Sequence, residues 1–450
     1  MGKYFGTDGI RGTFGDERIN CAFAARFGAA VALYNQRVSS GASLLAVIGR
    51  DTRESGAALV DAIIDGLQTQ GIEVFDLGIV PTPAVATTLL VKGADFGIVV
   101  TASHNPADDN GFKLFDRSGC KLSESAEAQI EELIDRPVSA KSTVVANNTI
   151  TSGDASLYLD KMTALLQPEC LAGWKVVLDL ANGATVKTTP LAFRRWGAEV
   201  ITLGDEPDGI NINQGVGSEY PVQLGKAVRA HSAHLGIAHD GDGDRIVVCD
   251  EHGDLIDGDV LLGLYALHAL DAGRLTNNTL VATIQSNLGL DFVVQEAGGT
   301  VLRANVGDRN VASLMRENGA TIGGESSGHI IFSDYATTGD GLLAASRLVE
   351  LMRHFDQSLS ALRKRVELFP QETANLMVEE KRPLHELPNL KNSIQEGEHV
   401  FGKEGRVLVR YSGTEPKLRL LAEGRDPVRV KNVLKGLILA AKIDLIVIDD

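Results

Sequence analysis

Three times along the chain, an apolar run is followed by a polar loop, a segment with helical spacing and a second apolar run. The first copy reads LLAVIG, RDTRESG, AALVDAIIDGLQTQG and EVFDLG (44–78). The second reads WKVVLDL, ANGATVKTT, PLAFRRWG and EVITLG (174–204). The third reads LVATIQ, SNLG, LDFVVQEAGG and TVLRANVG (280–307). Strand-length apolar runs separated by helical segments predict parallel strands covered by crossover helices. Gly71, at the end of the first helical segment, is placed to close it in the left-handed conformation. In such sheets, ligands bind beyond the carboxyl ends of the strands, so the polar loops are where chemistry is expected.

With 450 residues, the chain is long enough for several cores. Polar, aperiodic stretches at 135–154, 249–259 and 366–373 mark breaks, giving expected domains at 1–150, 151–254, 255–367 and 368–450. The last differs from the others. RVLVRYSGTEPKLRLLAEG reads as two strands around a tight polar loop, and 429–443 as an amphipathic helix. The expected fold class is therefore α/β: three similar mixed α/β domains and a smaller C-terminal α+β domain around a central cleft.

A net charge of −16 disfavours binding to nucleic acid or anionic membrane. No apolar run is long enough to span a bilayer. Four cysteines without a CxxC spacing read as reduced thiols in a cytoplasmic protein.

Within GIVVTASHNPADDNGFKLF (97–115), an apolar strand delivers Ser103 into a loop with His104, Asn105, Asp108, Asp109 and Asn110, without an evident base. Far downstream, AHDGDGDRIVVCD places Asp240, Asp242 and Asp244 at alternate positions, which share a face in extended chain. Three carboxylates so close repel one another unless a cation neutralises them, and oxygen ligands suit Mg²⁺ or Ca²⁺. A solvated acidic turn is the plain alternative. An EF-hand register fails at Arg245, where its sharp turn needs Gly.

Ser103 is either an ordinary loop serine or a phosphoserine, whose charge and oxygens would make it a fourth ligand to the cation. Arg245 and Lys113 are the candidate cations offsetting the excess negative charge. RYSGTEPKLR offers Arg410, Ser412, Gly413, Thr414 and Arg419, a set able to hold a phosphate, or else a polar hairpin turn. GGESSGHI offers Glu325, Ser327 and His329, which could bond sugar hydroxyls and move a proton. GATVKTT lacks the order of a P-loop, and His231, His234 and His239 lack a fourth zinc ligand.

FGTDGIRG, TASHNP, DGDGDR, GESSGH and RYSGTEP, in this order along almost the whole chain, resemble the α-D-phosphohexomutase family. KYFGTDGIRG, VGDRNV and SDYATTGDGLL resemble its bacterial aminosugar-phosphate branch. The resemblance implies four domains with one key loop each, and a phosphoserine at Ser103 that lends its phosphate to a hexose phosphate through a sugar 1,6-bisphosphate. It implies Mg²⁺ held by Ser103, Asp240, Asp242 and Asp244, with Lys113, His329 and Arg11 as catalytic groups. His104, Arg245, Glu325, Ser327, Arg410, Ser412, Gly413 and Thr414 would contact substrate. The implied reaction interconverts glucosamine 6-phosphate and glucosamine 1-phosphate. Ser326 replaces the Gln typical of that branch, so glucose or mannose phosphate remains the alternative substrate.

Overall fold

The computed structural model describes residues 2–39, 43–136, 149–412 and 415–448. They form two compact units, Met1–Gln285 with Gly298–Arg365, and Ser286–Ala297 with Val366–Asp450. No helix among the described residues is long and apolar enough to cross a membrane.

All three repeated segments form the expected parallel pairs. Leu45–Arg50 lies parallel to Glu73–Ile79, Lys175–Asp179 to Glu199–Leu203, and Thr279–Thr283 to Thr300–Ala304. The sheets are mixed, because each gains an antiparallel edge. In the first sheet the order is Ile10–Thr13, Asp109–Phe115, Phe96–Val100, Leu45–Arg50, Glu73–Ile79, Ile150–Ser152. All five residues of Phe96–Val100 are buried. A strand covered on both faces reads as a continuous apolar run, as it does here. It pairs in parallel with Leu45–Arg50 and antiparallel with Asp109–Phe115, so its carboxyl end opens directly into the Ser103 loop.

Helices Cys21–Val38, Ser55–Gln68 and Glu124–Ile134 share one hydrophobic core with this sheet. Asn20 caps Cys21–Val38 by accepting from the Phe23 N–H, and Ser55–Gln68 packs against that helix. The contact requires glycine. A Cβ on Gly28 would stand 2.3 Å from the Ile63 carbonyl oxygen, and one on Gly66 would stand 2.1 Å from that of Ala25. Gly71 has φ +74°, three residues beyond the end of Ser55–Gln68.

In the second sheet, Leu235–Ala238 runs parallel to Lys175–Asp179 and leads into the Asp240 loop. In the third, Ile322–Gly324 turns back through the Glu325 loop to pair with Ile330–Phe332. The helix Leu288–Glu296 of the third repeat belongs to the second compact unit. There Asn287 exchanges two hydrogen bonds with the Phe369 backbone, at 2.9 and 2.8 Å. That unit also holds the sheet Gly405–Tyr411, Lys417–Gly424, Gln371–Val378, Val447–Ile448, all antiparallel. Helices Pro388–Phe401 and Pro427–Asp444 bury Leu390, Leu434 and Leu437 with Leu418 and Leu420 of that sheet.

Two of the expected breaks are built structure. Ile150–Ser152, read from sequence as linker, is an edge strand parallel to Glu73–Ile79. The stretch at 249–259 holds the hairpin strand Leu255–Ile256 and the start of helix Gly258–Asp271. Both elements are too short for periodicity to reveal them.

Candidate active site

The site grows from the end of Phe96–Val100. Ser103 is 1 % exposed and has φ +55°, a left-handed conformation uncommon for a residue with a side chain. Its hydroxyl donates to Asp240 Oδ2 at 2.6 Å and lies 3.3 Å from His104 Nδ1. Burial, then the guanidinium groups of Arg245 and Arg11, lower the pKa of His104.

Asp240, Asp242 and Asp244 are all buried and present oxygens within 4.8 Å of one another. The chain is a turn here and not the extended segment expected from alternate spacing; Gly243, at φ +73°, folds it so that the three carboxylates converge. Burial, with Asp244 and Asp242 alongside, drives the Asp240 carboxyl well above the usual carboxylate range. Asp244 goes the other way. Burial opposes its ionisation, but Lys113 and His329 outweigh it and hold the pKa at about 2.

Lys113, 1 % exposed, bridges Asp242 at 2.7 Å and Asp244 at 2.8 Å, with Asp8 at 3.3 Å. Burial disfavours its charge, yet those carboxylates keep the ammonium well above its ordinary pKa. Asp8 also pairs with Arg11 and Lys121, and Lys121 reaches Asp308. His329 Nε2 lies 3.3 Å from Asp308 and 3.9 Å from Asp244. Neither ring nitrogen of this buried imidazole is hydrogen-bonded. Asp8, Asp240, Asp242, Asp244 and Asp308 thus form one continuous cluster with Arg11, Lys113, Lys121 and His329, and Arg245 donates its backbone N–H to Asp240 at 3.2 Å. The Arg245 guanidinium lies 3.7 Å from Glu219.

The sugar-loop candidates join this cluster through backbone. Arg245 and His329 form a bridge, and the Ile246 N–H donates to the Gly328 carbonyl at 3.0 Å. Glu325 turns its carboxylate to the Gly307 N–H at 2.9 Å. Ser326 and Ser327 are exposed. Arg410 and Ser412 lie in the second unit, where the Ser412 N–H donates to the Lys417 carbonyl at 2.8 Å. Gly413 and Thr414 fall outside the described residues.

Sequence reading gave no role to Asp8, Lys121 or Asp308. Asp8 lies within FGTDGIRG and Asp308 within VGDRNV, so both were in view as motif residues. Lys121 carried no signal, because only the folded chain brings it between them.

A metal fits this donor set. Asp242 Oδ1 and Asp244 Oδ1 are buried without any hydrogen-bond partner, while their Oδ2 atoms serve Lys113. Unpaired carboxylate oxygens in a buried acidic cluster suit a hard divalent cation.

Four models of the phosphoglucomutase/phosphomannomutase family match the chain in order. Alpha/beta/alpha domain I matches residues 2–141, domain II 156–253, domain III 257–369 and the C-terminal domain 374–439. The chain is 41 % identical over 442 residues to a phosphoglucosamine mutase of Lawsonia intracellularis, covering 97 % of each chain. It is 42 % identical over 444 residues to that of Desulforudis audaxviator, again covering 97 % of each. A crystal structure of a phosphoglucomutase/phosphomannomutase family protein from Burkholderia thailandensis superposes with a TM-score of 0.79 at 26 % identity, over 98 % of this chain and 97 % of that one.

Proposed function

The chain belongs to the phosphoglucomutase/phosphomannomutase family, and from that premise we propose that it is a phosphoglucosamine mutase, working through a phosphoserine at Ser103 and a glucosamine 1,6-bisphosphate. The observation that carries this reading is the Ser103 hydroxyl, 2.6 Å from a carboxylate of the Asp240, Asp242 and Asp244 trio that Lys113 also bridges. The phosphoglucosamine mutases matched over 97 % of the chain supply the substrate.

In the forward direction, the phosphoryl group of phospho-Ser103 passes to the C1 hydroxyl of glucosamine 6-phosphate. The P–Oγ bond breaks, the P–O1 bond forms, and the hydroxyl proton leaves. The bisphosphate turns over in the site, and Ser103 recovers the phosphate from C6. Phosphoryl transfer depends on in-line positioning and charge stabilisation, and the protein need supply little other chemistry. Lys113 is the cation poised to balance charge on Oγ as the bond to phosphorus breaks. His329, with both nitrogens free of hydrogen bonds, is the group able to accept and return the sugar proton. Arg11 completes the catalytic set beside Asn105, 3.5 Å away.

Mg²⁺, held by Asp240, Asp242, Asp244 and an oxygen of the Ser103 phosphate, would neutralise charge on the transferring group. His104, Arg245, Glu325 and Ser327 are assigned to substrate contact. Arg410, Ser412, Gly413 and Thr414 are assigned to the non-reacting phosphate. The free state of all four cysteines supports a cytoplasmic setting.

A substrate panel with Mg²⁺ and a bisphosphate primer tests the reading. Turnover should favour glucosamine 6-phosphate over the glucose and mannose 6-phosphates. A preference for mannose 6-phosphate would reassign the substrate, and Ser326, exposed in the sugar loop, would be the place to look.

A further inference from the structure

The loop RDTRESG, which follows the first repeated strand, has no part in the chemistry above, yet it contains the most completely bonded side chain near Ser103. Arg53 and Asp51 are both 0 % exposed. A guanidinium has five N–H donors in a fixed fork, and Arg53 uses all five. Nε donates to Asp51 Oδ2 at 2.9 Å. Nη1 donates to the carbonyls of Pro106 and, at 2.8 Å, Asp109. Nη2 donates to the carbonyls of Ser103 at 3.1 Å and Asn105 at 2.9 Å. Four carbonyls of one loop therefore converge on a single cation.

Two further groups act on the same peptide. Asp51 Oδ2 accepts from the Thr101 hydroxyl at 2.6 Å, and that hydroxyl accepts from the Ser103 N–H at 2.9 Å. From the segment after the second repeat, Asn213 Nδ2 donates to the carbonyls of Ser103 at 2.9 Å and Asn105 at 3.0 Å. Gly241 makes room for this approach, since a Cβ there would meet the Ser103 carbonyl at 2.6 Å. The amide N–H and the carbonyl of Ser103 are thus both fixed, and its φ of +55° lies between them. Backbone strain of this kind persists where the surroundings over-determine it, and it clusters at sites of chemistry.

We propose that Arg53, Thr101 and Asn213 are positioning residues that hold the Ser103 backbone left-handed and so aim its oxygen at the Asp240 carboxylate for phosphoryl transfer. The inference rests on the phosphoserine reading above. None of the three touches the sugar or the reacting atoms. Their effect should fall on the transfer step and not on substrate binding, because a small misplacement of reacting groups can cost about 100-fold in rate.

The test is steady-state kinetics of T101V, T101S, N213A and R53K, with thermal melting and phosphopeptide mapping on the same samples. T101V keeps the shape of the side chain but loses the hydroxyl. It should lower kcat by about tenfold, with KM within about twofold of the parent, the scale of one lost hydrogen bond. T101S should restore kcat. N213A should behave like T101V, and R53K, which loses the fork, should lower kcat by about 100-fold. Parental kcat in folded T101V and N213A overturns the proposal, as does an effect confined to KM. Should T101V fail to fold, N213A carries the test, its expected loss of kcat being the same. Absence of phosphate on Ser103 in active parental enzyme overturns the phosphoserine reading and this inference together. Phosphate present on Ser103, with unaffected variants, overturns this inference alone.

Discussion

Two loops of this protein are assigned to phosphate, and they are built in opposite ways. At Ser103 every polar group is committed: Arg53 and Asn213 donate to its carbonyl, Thr101 accepts from its N–H, and Asp240 accepts from its hydroxyl. Arg410 is half-buried and Ser412 buried, and Arg410 stands directly across the strands from Arg419. Like charges in that register repel, and burial together with Arg419 lowers the Arg410 pKa. Arg419 Nε is buried without a hydrogen-bond partner among the described residues. The first loop is preorganised for a reaction. The second sets two guanidinium groups face to face, with Glu415 4.0 Å from Arg419, a repulsion that an anionic ligand would relieve. Geometry fixed in advance belongs with rate, and unpaired charge belongs with binding.

Changes to the first loop should therefore act on kcat and changes to the second on KM. The largest expected effect is from Ser103→Ala, which should reduce isomerisation to background because the proposed mechanism gives the phosphate no other carrier; steady-state assay checks it. Next is Asp242→Asn, which removes a charge from the trio. Metal affinity should fall by about 100-fold or more, with activity falling in parallel. Titration of activity against Mg²⁺ reads this, and a lower rate with unchanged metal dependence would remove Asp242 from the ligand set. Arg410→Lys should raise KM about tenfold with kcat unchanged, since Lys loses the bidentate fork. A change confined to kcat would erase the distinction between the two loops.

The smallest effect concerns stability. Asp340 caps the helix Gly341–Phe355 and accepts from the Tyr158 hydroxyl at 2.8 Å. Burial raises its pKa to about 6 from 3.8. The folded state thus binds this proton more tightly than the unfolded state. The stability this contributes is complete below about pH 4 and is lost as pH rises through about 6. Asp340→Asn keeps a capping side chain and removes the titration. Chemical denaturation at pH 4.5 and 7.5 should show the variant gaining on the parent at the higher pH, by about 3 kcal/mol at most. No gain at the higher pH would mean that Asp340 ionises without cost in the folded chain.

Local pattern carried most of the fold. Each repeat showed its strands and helix because a strand buried on both faces and an amphipathic helix leave different apolar periods. The edge strand Ile150–Ser152 is three exposed residues, too few for any period. The trio and Ser103 were legible because their residue types are costly to place together without a function. Asp8, Lys121 and Asp308 were not. Each is an ordinary charged residue whose meaning comes from partners more than 100 residues away, as Lys121 does from Asp308. Arg53 was hidden for the same reason, since its bonds go to backbone carbonyls, which no side-chain pattern reports.

The central claim is that Ser103 lends and recovers phosphate. Enzyme labelled with ³²P on Ser103, mixed with unlabelled glucosamine 6-phosphate and quenched within one turnover, tests it directly. The label should leave the Ser103 peptide and appear first in glucosamine 1,6-bisphosphate, then in glucosamine 1-phosphate. Label that stays on the peptide while product forms, or departs only as inorganic phosphate, would contradict the account.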